Sequence, residues 1–144
     1  MNWVHTRHEE AAAFAAGAEA MITNKLTACA GSCGPGSLHL INGLYESNRN
    51  NAPVIVIASQ LAATSMGTGF PQEVDFLKVY QDTSVFCQMV NQPQEAQRIF
   101  TQAAQAAINK RGVAVVILPS DISQDGNSRT TYTDLAATAG NQTK

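Results

Sequence analysis

Pro53-Val54-Ile55-Val56-Ile57-Ala58-Ser59 is an apolar run without polar alternation, the pattern of a strand buried on both faces of a parallel sheet. Val113-Ala114-Val115-Val116-Ile117-Leu118-Pro119 repeats it near the other end of the chain. Two shorter runs, Leu26 to Gly31 and Ser84 to Val90, read as further strands, and Asn2 to His5 as a short one. Between them lie helical periods. Thr6 followed by Glu9 has the form of a capping box opening an alanine-rich helix from His8 to Asn24, whose apolar spacing selects Ala11, Phe14, Ala15, Ala18, Met21 and Ile22 as the buried face. The helix after Ser32 to Gly36 carries Leu38, Ile41, Leu44 and Tyr45 on one side. Asn91 and Pro93 open another with Ala96, Ile99, Phe100, Ala103 and Ala107, which Gly112 closes. Strands alternating with helices imply right-handed βαβ crossovers and an α/β, doubly wound parallel sheet with helices on both faces. Ligands of such sheets gather at the carboxyl ends of the strands.

Composition narrows the class further. The 144 residues make one domain with a real core, and 44% of them are hydrophobic. Charged residues reach only 14%, against roughly 25% in ordinary soluble domains, and nine basic and eleven acidic side chains leave a formal charge of −2. A surface so poor in charge suits a domain that covers part of itself against partners, and it offers no basic footprint for nucleic acid. No apolar run approaches the roughly 18 residues of a membrane span, and the N-terminus has no secretory pattern, so a cytoplasmic location is expected. Cys29, Cys33 and Cys87 are an odd set without zinc-ligand spacing, as in a reducing compartment. The polar stretch 123–144 reads as a linker or tail after a domain spanning 1–122.

Several groups invite a chemical reading. The turn Ser32-Cys33-Gly34-Pro35-Gly36 could cradle an anion, place Cys33 as a nucleophile, or simply pack closely. It matches no phosphate-loop pattern, and Pro35 removes a donor. No base is placed beside Cys33 by sequence, with His39 one to two helical turns away. Glu9 suits an ordinary helix-cap glutamate. His5 and His8 alone do not form a metal face, so no metal ligand is assigned. Gln60 to Asp75, with Gly67, Gly69 and Pro71, reads as a long loop of the kind that carries function. Gln72 and Glu73 within it are solvated polar residues by default, and Cys87 a buried, inert thiol.

Thr6-Arg7-His8-Glu9-Glu10-Ala11-Ala12-Ala13-Phe14, then Cys29-Ala30-Gly31-Ser32-Cys33-Gly34-Pro35-Gly36, then His39-Leu40-Ile41-Asn42-Gly43-Leu44 together resemble the pyrimidine-binding domain of thiamine-diphosphate enzymes of the pyruvate oxidase and quinone-dependent pyruvate dehydrogenase type. The likeness continues to about residue 122, and decarboxylases and acetolactate synthases share it more loosely. The resemblance implies that Glu9 is the catalytic carboxyl, bonding a nitrogen of the cofactor's aminopyrimidine from an apolar pocket that favours its acid form. It places Gly34, Pro35 and Gly36 beside that ring, and His39 and Gln72 along the substrate pocket for pyruvate or a similar 2-oxo acid. Relatives read Phe-Gln-Glu where this chain has Pro71-Gln72-Glu73, which leaves the substrate open.

Relatives of this type also have a strand and helix before the segment matching Asn2, and nucleotide- and diphosphate-binding domains after it. The resemblance therefore implies a half-site for thiamine diphosphate, Mg²⁺ and FAD held only through domains outside this sequence, a homo-oligomer, and no activity in isolation. A piece of a longer enzyme and a truncated paralogue that serves as a dimerising or assembly module both fit. A cysteine hydrolase using Cys33 is a third reading, from another class.

Overall fold

In the computed structural model, which describes residues 2–124, four strands form one all-parallel sheet in the order β1-β2-β4-β3. They are β1 (Thr27–Gly31), β2 (Val54–Gln60), β3 (Phe86–Met89) and β4 (Val113–Pro119). β2 and β4 pair along seven residues, from Val54 opposite Val113 to Gln60 opposite Pro119. The two apolar runs therefore form the centre of the sheet.

Chain direction decides where the helices lie. The step from β1 to β2 runs one way across the sheet and the step from β3 to β4 runs back, so right-handed crossovers place their helices on opposite faces. The first crossover holds α2 (Pro35–His39) and α3 (Ile41–Arg49), and the second holds α5 (Ala96–Lys110). The single helix expected after the turn is two helices meeting at Leu40. One core joins α1 (Glu9–Thr23), α3 and α4 (Phe76–Val79) to Val54, Val56, Val113, Val115 and Ile117. A second packs Ile99, Ala103 and Ala107 of α5 on Ala114 and Val116. A short α6 (Ser120–Gln124) follows β4. No helix among the described residues is long and apolar enough to cross a membrane.

α1 turns the face predicted from its spacing outward. Ala13, Ala16, Gly17 and Ala20 are buried, whereas Phe14, Met21 and Ile22 are 43%, 45% and 85% exposed. Small residues go inward because α1 lies close against α3, where Gly43 meets Ala13. The apolar stripe read as core is therefore a surface stripe.

Three local expectations also give way. Asn2 to His5 forms no strand, since no strand lies beside it among the described residues and an isolated extended segment has no ladder to join. The capping box is replaced by His8, whose Nδ1 accepts from the Glu10 amide at 3.2 Å. Arg111, at φ +54°, rather than Gly112 makes the left-handed turn that ends α5. The tail from 125 onward lies outside the described residues.

Candidate functional site

Two of the strand ends that the parallel topology brings to one edge carry the sequence's candidate residues. β1 delivers the turn Ser32 to Gly34, and β2 delivers the loop that contains Gln72. The first turn of α1 brings Glu9 to the same place.

Gly34 is the pivot. Its backbone (φ +64°, ψ −123°) is open to glycine and strained for other residues, and a Cβ there would stand 2.9 Å from that of Gln72. Pro35 then opens α2 at a position where a missing N–H costs nothing. The Cys33 thiol donates to Gln72 Oε1 at 3.2 Å, which ties the turn to the loop. Glu73 holds the loop's own shape by accepting from the amides of Gly67 and Gly69 at 2.5 and 2.9 Å. Gln60, nearly buried, spans the loop's base by donating to the Val74 carbonyl.

Glu9 approaches the turn from the other side. Its Oε1 lies 3.1 Å from where a Cβ on Gly36 would stand, so the glycine makes room for the carboxyl. Its Oε2 is 3.2 Å from His39 Nδ1. A carboxylate can only accept, so the ring presents its hydrogen on Nδ1. The His39 ring stacks on that of His8, with centroids 4.6 Å apart. The next residue along, Glu10, accepts from Asn42 at 2.7 Å and pins α1 to α3.

Glu9 is not in an apolar pocket here. Its side chain is 34% exposed, and its own backbone amide, then the His39 side chain, hold its carboxyl below the ordinary value against a smaller opposing effect of burial. Those hydrogen bonds disfavour the acid form in the described chain. Burial instead governs two thiols, pushing Cys29 up to about 12 and Cys87 up to about 11.

The candidates Glu9, Gly34, Pro35, Gly36, His39 and Gln72 thus line one edge of the sheet. Gln72 meets the turn but no described contact joins it to Glu9 or His39. Cys33 has Gln72 as its partner, and no base is bonded to it among the described residues. Sequence reasoning passed over the His8, Glu9 and His39 trio, whose candidate ligand atoms lie within 4.8 Å of one another. The i, i+1 pair was legible, but the third member is thirty residues on. Behind the loop a cavity of about 210 Å³ is bounded by Gln60, Met66, Phe76, Met89 and Ile117.

Residues 1–79 match the family described as thiamine pyrophosphate enzyme, N-terminal TPP binding domain. Among similar proteins, an uncharacterized 42.6 kDa protein from Pseudomonas amyloderamosa is 47% identical over 85% of this chain and 31% of its own length. Pyruvate oxidase of Lactiplantibacillus plantarum is 34% identical over 85% of this chain and 20% of its own. Acetolactate synthase of Arthrospira platensis is 32% identical over 88% of this chain and 21% of its own. The chain therefore spans between a fifth and a third of the length of these relatives.

Proposed function

The chain belongs to the thiamine pyrophosphate enzymes, as their N-terminal TPP binding domain, and on that premise we propose that it supplies the pyrimidine-binding half of a thiamine-diphosphate site, with Glu9 as the proton-sharing carboxyl. The observation that carries this reading is the convergence of the Glu9 carboxyl on the Gly36 backbone at the carboxyl edge of the sheet. The two glycines let the turn pack closely, Gly34 against Gln72 and Gly36 against Ser32, and the Glu9 carboxyl reaches the backbone beside them. A heteroaromatic ring at this edge would turn its edge nitrogen toward the carboxyl.

Thiamine diphosphate, when bound, supplies the electron sink for decarboxylating a 2-oxo acid. Glu9 holds the proton shared with the ring nitrogen, the turn Gly34 to Gly36 packs near the ring, and His39 orients the carboxyl through Oε2. Pyruvate or a similar 2-oxo acid is the substrate class, because relatives named pyruvate oxidase and acetolactate synthase match over most of the chain. The diphosphate, its Mg²⁺ and any FAD fall to other domains.

The exposure of Glu9 supports a partner. A carboxyl held low by an amide and an imidazole shares a proton poorly at neutral pH, and apolar cover would favour its acid form. That cover would come from another domain or a second subunit, so the isolated chain should be inactive. The outward stripe of α1 favours association and keeps a second reading, a non-catalytic assembly module, in view.

Calorimetric titration of thiamine diphosphate with Mg²⁺ into the chain and into Glu9→Gln separates the two. Binding that weakens at least tenfold in Glu9→Gln supports the half-site. No heat from either protein leaves this chain with the assembly reading.

A further inference from the structure

We propose that His8, Glu9 and His39 form a site for Zn²⁺ or a similar borderline divalent cation, with two imidazole nitrogens and one carboxylate oxygen as ligands. The separation of His39 Nδ1 and Glu9 Oε2, 3.2 Å, is close to the roughly 3.3 Å edge of a tetrahedron built from Zn–N and Zn–O bonds of about 2.0–2.1 Å. That pair already stands as two neighbouring ligands do. His8 brings a nitrogen within 4.8 Å of both, and its ring, stacked on His39 and half exposed, can close the remaining distance by a side-chain rotation.

The chemistry balances without another reactant. The cation takes the place of the hydrogen between His39 Nδ1 and Glu9 Oε2, and the neutral ring keeps that hydrogen on Nε2. His8 is free to give up its 3.2 Å bond from the Glu10 amide, since that amide is near solvent and water can replace the ring. All three side chains are accessible, so an ion enters without unfolding and water completes the coordination. Two imidazoles and one carboxylate select zinc, copper or nickel over magnesium and calcium, which prefer oxygen. An ion here occupies the oxygen that positions Glu9, so it would exclude a cofactor using that carboxyl; this consequence alone rests on the function proposed above.

The test is calorimetric titration of zinc chloride into the 144-residue chain, with magnesium chloride as reference. One zinc per chain is expected, weakened at least tenfold by either His8→Ala or His39→Ala and unchanged in His5→Ala and Cys33→Ser. Circular dichroism checks that each variant is folded, and the exposed positions of both histidines make this the expected result. Zinc heats no larger than those of magnesium would overturn the site, as would wild-type zinc affinity in both the His8→Ala and His39→Ala variants.

Discussion

His39 Nδ1 lies 3.2 Å from Glu9 Oε2, joining the end of α2 to the start of α1 across thirty residues of sequence. Because the backbone amide of Glu9 is the largest single cause of its lowered pKa and stays in place when His39 is removed, His39→Ala should raise the Glu9 pKa only part of the way to its ordinary 4.5. A ¹³C NMR titration of the Glu9 carboxyl carbon reads this directly. A folded pKa below the unfolded one gives stability that is present above about 4.5 and is lost as pH falls through the lowered value. His39→Ala should therefore flatten the acid limb of the stability curve below that pH. An unchanged Glu9 titration would mean that the contact is not made in solution.

Gly34→Ala tests the pivot of the turn. At φ +64° and ψ −123° the new residue would be strained, and its Cβ would also press on Gln72 at 2.9 Å. A loss of about 1–3 kcal/mol is expected in urea denaturation. A stability equal to wild type would mean that the turn relaxes at no cost and that the glycine is not required there.

The sheet was legible and the site was only half so, for different reasons. Val54 to Ala58 and Val113 to Ile117 announce central strands because both faces of a central parallel strand are covered, which is a local signature. Asn2 to His5 has a strand-like sequence, yet a strand exists only beside another. In α1 apolar residues occur all round the helix, so spacing could not tell the face that meets α3 from the face that meets solvent. Glu9, Gly34 and Gly36 came from the motif. The pairing of Glu9 with His39 depends on the angle at which α2 leaves the turn, and no residue-level pattern encodes that angle.

Tyr80→Phe probes the support beneath the turn. The buried Tyr80 hydroxyl donates to the Ser37 carbonyl at 2.5 Å, and the Ser37 hydroxyl in turn donates to the Gly31 carbonyl. Phenylalanine keeps the stack on Phe76 and removes only the hydrogen bond. The Ser37 carbonyl keeps its bond from the Leu40 amide at 3.3 Å, so the lost hydrogen bond should cost about 0.5–1.5 kcal/mol, and hydrogen exchange at the α2 amides should quicken more than at those of α5. Uniform quickening would place the effect in the whole core instead.

Thiol chemistry should single out Cys33. Burial pushes Cys29 up to about 12 and Cys87 up to about 11, so both remain protonated and unreactive near pH 8. Cys33, half-buried at the turn, should be the first thiol that iodoacetamide modifies in the folded chain, as peptide mass spectrometry would show. Equal labelling of all three would contradict the buried placement of Cys29.

The two faces of α1 make opposite predictions. Ile22→Lys and Phe14→Lys change residues that are 85% and 43% exposed, so each should alter unfolding free energy by less than about 1 kcal/mol. Ala20→Leu adds three carbons where the existing side chain is fully buried, and should cost about 1–3 kcal/mol by overpacking. If the outward stripe seats a second copy, the two lysines together should also shift sedimentation toward monomer without loss of helix content. The reverse ranking, with lysine at 22 melting the chain and leucine at 20 tolerated, would put the apolar stripe back in the core where its spacing alone would have it.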